Sequence, residues 1–259
     1  MLDLEQIQSY YPENLRSFKK NILREYLQYK ILEIVYASDY AGDLVFMGGT
    51  AIRILHSNRR FSEDLDFDSR GLKKAALEDL VNTIKVKLGL EGYNISIRNN
   101  YNNAFRSYIK IHDIMYDFSL TPHRKENVDL RFDTEPQEYS YLPEKPFLNK
   151  FDIFTQILTV PAAILLSRKI YAAFNRKMVM GRDFFDVIFL LGKTQPDYGY
   201  LKKRLGISNG EELRHRLLAF CKKLDMDKLA KDVRPFLFDP EESNNVSLFT
   251  EFIKNAKLQ

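Results

Sequence analysis

Residues 44–67 constrain the fold more tightly than any other stretch of the chain. Leu44-Val45-Phe46-Met47 is an unbroken apolar run of strand length, and it ends at Gly48-Gly49. The sequence predicts a helix from about Thr50 to His56, then a second strand through Leu65-Asp66-Phe67. Two glycines after a strand let the backbone turn without Cβ clashes and approach a ligand closely. A helix starting there presents free N–H groups and the positive end of its dipole, which suits a triphosphate. Thr50 would either bind a phosphate oxygen or cap the helix.

The second strand carries the acids, within Arg60-Phe61-Ser62-Glu63-Asp64-Leu65-Asp66-Phe67. Side chains two apart on a strand share a face, so Asp64 and Asp66 project together while Leu65 and Phe67 face the core. Paired carboxylates repel, and a shared divalent cation relieves that repulsion. Mg²⁺ prefers such oxygen ligands, with substrate phosphates completing its shell. The spacing brings a phosphate cradle beside a metal clamp, the arrangement that in-line displacement at an α-phosphorus needs. A third carboxylate from another strand would complete it. Met115-Tyr116-Asp117-Phe118-Ser119 reads as a strand, which makes Asp117 the candidate ligand and acceptor-hydroxyl base, with Asp113 as the alternative.

Around this segment the chain divides by pattern. A helix is expected over residues 15–36, capped by Asn14, because Leu15, Phe18, Ile22, Tyr26, Tyr29, Leu32 and Val35 recur at helical spacing. A helix over 73–88 and strands near 94–98, 107–111 and 115–120 complete a mixed α/β part. From about residue 150 the pattern is helical, with Pro161 suited to the first turn of a helix reaching Phe174. Further helices are expected over 182–191, 210–224 and 246–257. The expected architecture is α+β: a domain with a small mixed sheet over residues 1–145, then a helical domain over 146–259.

Composition excludes some classes. One cysteine, Cys221, rules out an internal disulfide and a cysteine-built zinc site. No apolar run approaches the length that crosses a bilayer, and Met1-Leu2-Asp3-Leu4-Glu5 has no secretory pattern, so the expectation is a soluble, cytoplasmic protein. A net charge of +4 permits a nucleic-acid partner without demanding one. Seven Lys/Arg fall between Leu201 and Lys223 against Glu211 and Glu212, a stretch that would supply phosphate contacts or a solvated helix face. Farther upstream, Lys169, Ala172, Ala173 and Arg176 share a helical face, and Gly181-Arg182-Asp183-Phe184-Phe185-Asp186 follows. Those basic groups would hold a triphosphate, with Asp183 and Asp186 orienting them, or the whole set would form an interhelical ion-pair network.

Four runs in this order resemble the AbiEii/AbiGii-type toxins, nucleotidyltransferase-like members of type IV toxin–antitoxin and abortive-infection systems. They are Gly48-Gly49-Thr50-Ala51-x-Arg53, Arg60 to Phe67, the Lys169-x-x-Ala172 helix and Arg182-Asp183-Phe184-Phe185-Asp186. The resemblance spans roughly residues 44–191 and implies a polymerase-β-like N-terminal fold with a helical C-terminal domain. It implies that Gly48, Gly49, Thr50 and Arg53 bind nucleotide, that Asp64 and Asp66 bind metal, and that Lys169 and Asp186 occupy later functional positions; Ser62 joins the nucleotide-binding set. Family members are bacterial, some add nucleotides to the tRNA 3′ end, and a separately encoded antitoxin neutralises them.

The expected activity is therefore Mg²⁺- or Mn²⁺-dependent transfer of NMP from an NTP to an RNA acceptor, tRNA foremost, by a toxin with a cognate antitoxin. Two alternatives remain at this level. One transfers to a small molecule or a protein hydroxyl, and the other is a nucleotide-binding regulator without turnover, against which the intact Asp64 and Asp66 argue.

Overall fold

A computed structural model describes residues 2–102 and 104–259. The chain forms two compact units. The first comprises Met1–Ala51 and Ser62–Thr159, and the second Ile52–Phe61 and Val160–Gln259.

The first unit begins with α1 (Leu4–Ser9) and the long α2 (Lys19–Tyr36). Residues 13–15 form a separate 3-10 turn, and Phe18, not Asn14, precedes the first residue of α2. The expected stripe is buried except at Phe18, but Leu23, Leu27, Ile31 and Ile34 are buried too, so α2 is a nearly encircled core helix and not an amphipathic one. Then come β1 (Leu44–Met47), α3 (Gly48–His56, whose residues from Ile52 belong to the second unit), β2 (Asp64–Ser69) and α4 (Lys74–Leu90). β3 (Asn94–Asn102), β4 (Ala104–His112), α5 (Ile114–Asp117) and β5 (Val128–Pro136) follow, then a hairpin of β6 (Phe147–Lys150) and β7 (Ile153–Gln156).

The main sheet has the order β1-β2-β5-β4-β3, and β2 and β5 are its parallel pair. Apolar side chains explain why these strands join. Phe46, Phe67 and Phe132 line up across β1, β2 and β5, with successive ring centroids 5.5 and 4.8 Å apart. Leu65, Phe67 and Phe132 are fully buried, each contributing roughly 2–3 kcal/mol of burial. α4 turns Leu77, Leu80, Val81, Ile84 and Leu88 inward at helical spacing and packs on β3 and β4. With one face of β2 committed to this core, its aspartates at positions 64 and 66 must take the other.

The second unit is helical: α6 (Ala162–Asn175, entered at Pro161 as expected), α7 (Gly181–Leu191), α8 (Tyr198–Leu205), α9 (Gly210–Cys221), α10 (Met226–Val233), α11 (Asn244–Ser247) and α12 (Phe249–Asn255). α7 packs against α6 and α10, and α9 against α12. The approach of α7 to α10 is close enough that a Cβ at Gly181 would run into the Leu229 carbonyl. Among the described residues no helix is long and apolar enough to cross a membrane.

Candidate active site

In the first unit, β2 and its neighbours build an acidic face. Burial alternates along β2, with Leu65 and Phe67 buried and Asp64 and Asp66 partly open, as the strand period requires. The structure thus brings Asp64 and Asp66 to one face. Gly48 begins α3 at φ +79°, a conformation that side chains rarely adopt, and a Cβ there would lie 2.9 Å from Cβ and Cγ of Asp66. The glycine is required both by its backbone angle and by the aspartate that fills the space beside it. Thr50 is buried, and its hydroxyl donates to the backbone carbonyl of Asp64, tying the first turn of α3 to the start of β2. Gly49 and Thr50 lie in that first turn, where backbone N–H groups lack intrahelical partners. The Ser62 carbonyl accepts from Gln28 Nε2 at 3.0 Å, and Arg24 pairs with Glu63 at 3.2 Å, so α2 braces the entry to β2.

The segment expected to be a strand around Asp117 is not one. Asp113 adopts a left-handed φ of +62° and the chain closes into the single turn of α5, with Ile114 and Met115 both buried. Adjacent buried residues cannot arise from a strand with one open face, and Asp117 lies exposed on the helix, outside the sheet. Asp113 accepts from Asn94 at 3.0 Å, also away from β2. The carboxylate that stands beside Asp66 is Asp133 on β5, its partner in the parallel register. Residues matched in register point to the same side, so Asp64, Asp66 and Asp133 share one face. A signal for it lies in the sequence: Val128, Leu130 and Phe132 alternate with Asp129, Arg131 and Asp133, the period of a half-buried strand.

Two arginines join this face. Arg131 Nη2 lies 2.6 Å from Asp64 Oδ2 and its Nε 3.0 Å from Asp133 Oδ2. Arg106, opposite Asp133 on β4, approaches its Oδ1 at 3.1 Å. Burial pushes the Asp133 carboxyl above its ordinary range and the Asp64 charge adds to that, while Arg131 and Arg106 pull the other way. The donor chemistry suits a hard divalent cation: three carboxylates on one face, with a guanidinium between two of them standing in for positive charge. Asp64, Asp66 and Asp133 are the residues that could hold it.

The second unit carries its own ionic cluster. Asp186 is fully buried, and each of its oxygens meets two donors. Oδ1 accepts from Asn58 Nδ2 at 2.8 Å and Arg60 Nε at 2.7 Å, and Oδ2 from Arg60 Nη2 at 2.6 Å and Lys169 Nζ at 2.8 Å. Burial pushes this carboxyl up, but Arg60 and Lys169 outweigh it and hold it at about 2. Lys169 also reaches Asp183 at 3.2 Å, and Arg176 approaches Asp183 at 2.9 Å. Arg53 donates to the Asn58 carbonyl at 3.1 Å and lies over the Phe238 ring at 4.5 Å. The network anchors residues 52–61 to α6 and α7. Arg60 and Asn58, which complete it, carry no sequence signal beyond their place before the acidic strand. In the basic stretch, Arg214 is spent on the Lys254 and Ala256 carbonyls at 2.9 and 2.8 Å, and Arg204 on the Tyr171 hydroxyl at 3.0 Å. Lys202, Lys222 and Lys223 are exposed.

A five-stranded mixed sheet bearing three acids beside a glycine-started helix, together with a helical unit, defines a nucleotidyltransferase fold. The chain belongs to the nucleotidyl transferase AbiEii toxin family of type IV toxin–antitoxin systems, whose profile matches residues 30–245. Among solved structures, JHP933 from Helicobacter pylori is similar at a TM-score of 0.53 and 21% identity, over 90% of this chain and 91% of that one. A second H. pylori protein, described as a nucleotidyltransferase, matches at a TM-score of 0.52 and 19% identity, over 92% and 98% of the two chains. At these identities the likeness is one of fold. No curated protein sequence matches the chain.

Proposed function

We propose that this nucleotidyltransferase uses a divalent cation, Mg²⁺ or Mn²⁺, to transfer NMP from an NTP to an RNA acceptor, tRNA foremost, as a toxin restrained by a cognate antitoxin. The observation that carries the reading is the register of β2 and β5, which lines up Asp64, Asp66 and Asp133 on the open face of the sheet. A cation bound by these carboxylates would neutralise charge developing around the α-phosphorus. Asp133 takes the part first expected of Asp117: its raised carboxyl makes it the natural acceptor of the proton from the attacking hydroxyl. Gly48 leaves room for Asp66, Thr50 fixes Asp64 through its carbonyl, and the amides of the first turn of α3 are directed to phosphate oxygens. Ser62 carries the chain into β2. In the helical unit, Asp186 holds Arg60 and Lys169 in place. Catalysis by positioning and charge neutralisation is what phosphoryl transfer demands of a protein.

The test is incubation of the purified chain with Mg²⁺, total bacterial tRNA and each α-labelled NTP in turn, beside an Asp64→Ala/Asp66→Ala control. Label on tRNA with the wild type alone is the expected result. Label on protein or small molecules instead would replace the acceptor while keeping the chemistry. Tight NTP binding with no pyrophosphate release under any condition would turn the chain into a regulator and overturn the proposal.

A further inference from the structure

The positive charge already inside the carboxylate cluster belongs to Arg131. Its guanidinium bridges Asp64 at 2.6 Å and Asp133 at 3.0 Å, and among the described residues no three carboxylate, imidazole or thiolate groups converge closely enough to hold a metal as they stand. The two facts are connected. A guanidinium is a planar fork about as wide as two carboxylates, whereas Mg²⁺ needs oxygens at about 2.1 Å from one centre. Both cannot occupy the space between Asp64 and Asp133.

We infer that Arg131 is a displaceable counter-cation: it neutralises Asp64 and Asp133 in the metal-free protein, and a divalent cation enters the cluster only as the guanidinium withdraws. The inference rests on the proposed metal role of these carboxylates. Its seating is loose enough for exchange. The Arg131 side chain is 35% exposed, against 1% for Arg60 in the Asp186 cluster. Its Nε touches Asp133 by charge alone and makes no hydrogen bond. Arg106 Nε lies 3.1 Å from both oxygens of Asp133, so withdrawal of Arg131 does not leave that carboxylate bare. A triphosphate offers a guanidinium better acceptors than a shared carboxylate pair does, so NTP would draw Arg131 outward and tighten metal binding in the same step. Metal affinity in the absence of NTP is multiplied by the fraction of time the cluster is open. A guanidinium in place about nine-tenths of the time weakens it about tenfold.

The experiment titrates the full chain with Mn²⁺, following free Mn²⁺ by electron paramagnetic resonance, with and without a non-hydrolysable NTP analogue. Arg131→Met is expected to bind Mn²⁺ about tenfold more tightly than wild type without the analogue, and to lose most of the analogue's enhancement. Equal or weaker binding by folded Arg131→Met would overturn the inference while leaving the metal site intact. Absence of Mn²⁺ binding in both proteins would overturn the metal assignment itself, and the inference with it. Should Arg131→Met fail to fold, the Nε–H resonance of Arg131 in wild type, identified by its loss in Arg131→Lys, must shift on Mg²⁺ saturation. An unmoved resonance refutes displacement.

Discussion

Replacing Asp186 by Asn keeps the side chain's shape and removes its charge, in a place where no water can compensate. Asp186 and Arg60 are 0% and 1% exposed, and the four donors on the carboxylate come from Asn58, Arg60 and Lys169. In Asp186→Asn the two Arg60 nitrogens would face one neutral oxygen and one amide that itself donates. Breaking a buried pair from one side costs about 3–5 kcal/mol, since the surviving charge stays desolvated. Lys169 keeps Asp183 at 3.2 Å, which places the expectation at the lower end, about 3 kcal/mol. For a chain of this size that corresponds to a fall in Tm of roughly 10 °C. Calorimetry and urea unfolding followed by circular dichroism would measure it; the chain has no Trp to report by fluorescence. Acid supplies a second reading. The Asp186 carboxyl is held at about 2 against an ordinary 3.8, so its contribution is present above the ordinary value and is lost as pH falls through about 2. The shift is worth roughly 2 kcal/mol. Wild type should therefore lose about that much more stability than Asp186→Asn over the same descent. A variant loss below about 1 kcal/mol, or parallel acid limbs, would refute the account of the cluster as a closed anchor.

Three further outcomes follow from the same geometry. Asp133→Asn should lower nucleotide transfer by roughly a hundredfold or more with unchanged thermal unfolding, while Asp117→Asn should leave the rate as it is; the reverse pattern would restore Asp117 to the site. Gly48→Ala should cost about 1–3 kcal/mol from its left-handed backbone and, by pushing Asp66 aside, weaken Mn²⁺ binding measured by calorimetry. Gly181→Ala should force α7 off the Leu229 carbonyl and lower stability to urea by about 1–3 kcal/mol, with any smaller effect contradicting the tight approach of α7 and α10.

Much of the fold and of the acidic face is legible in the amino-acid sequence, and for local reasons. The strand, glycine pair, helix and second strand over residues 44–69 are fixed by short-range chemistry: apolar runs, turn residues and the two-residue period. Asp64 and Asp66 can be read because their own neighbours, Leu65 and Phe67, fix the face. The third acid cannot be read that way, since it comes from β5, 67 residues beyond Asp66, and only the parallel pairing of β2 with β5 makes them neighbours. Asp117 misleads because its apolar neighbours Met115, Tyr116 and Phe118 span too few residues to separate one helical turn from a strand. Helix α2 shows its stripe but hides its full burial, because Gln28, Glu25 and Lys30 interrupt the apolar pattern and are buried with partners. The return of residues 52–61 to the helical unit is written in Arg60 and Asn58 only once Asp186 is known to lie beside them.

The two acidic clusters use one set of residue types to opposite ends, and the difference lies in how fully each carboxylate is satisfied. Asp186 has two donors on each oxygen, no exposure and a depressed carboxyl, which suits it to hold Arg60 and Lys169 in place. Asp133 is held by two arginines, one of them a third exposed, and burial keeps its carboxyl raised. Such a group can exchange partners and take up a proton at little cost, which chemistry requires and an anchor forbids. The same comparison ranks the arginines: Arg60 is fixed by depth, whereas Arg131 has solvent to retreat into. Substitutions around Asp186 should therefore report in stability before activity, and those around Asp133 in activity and metal affinity before stability.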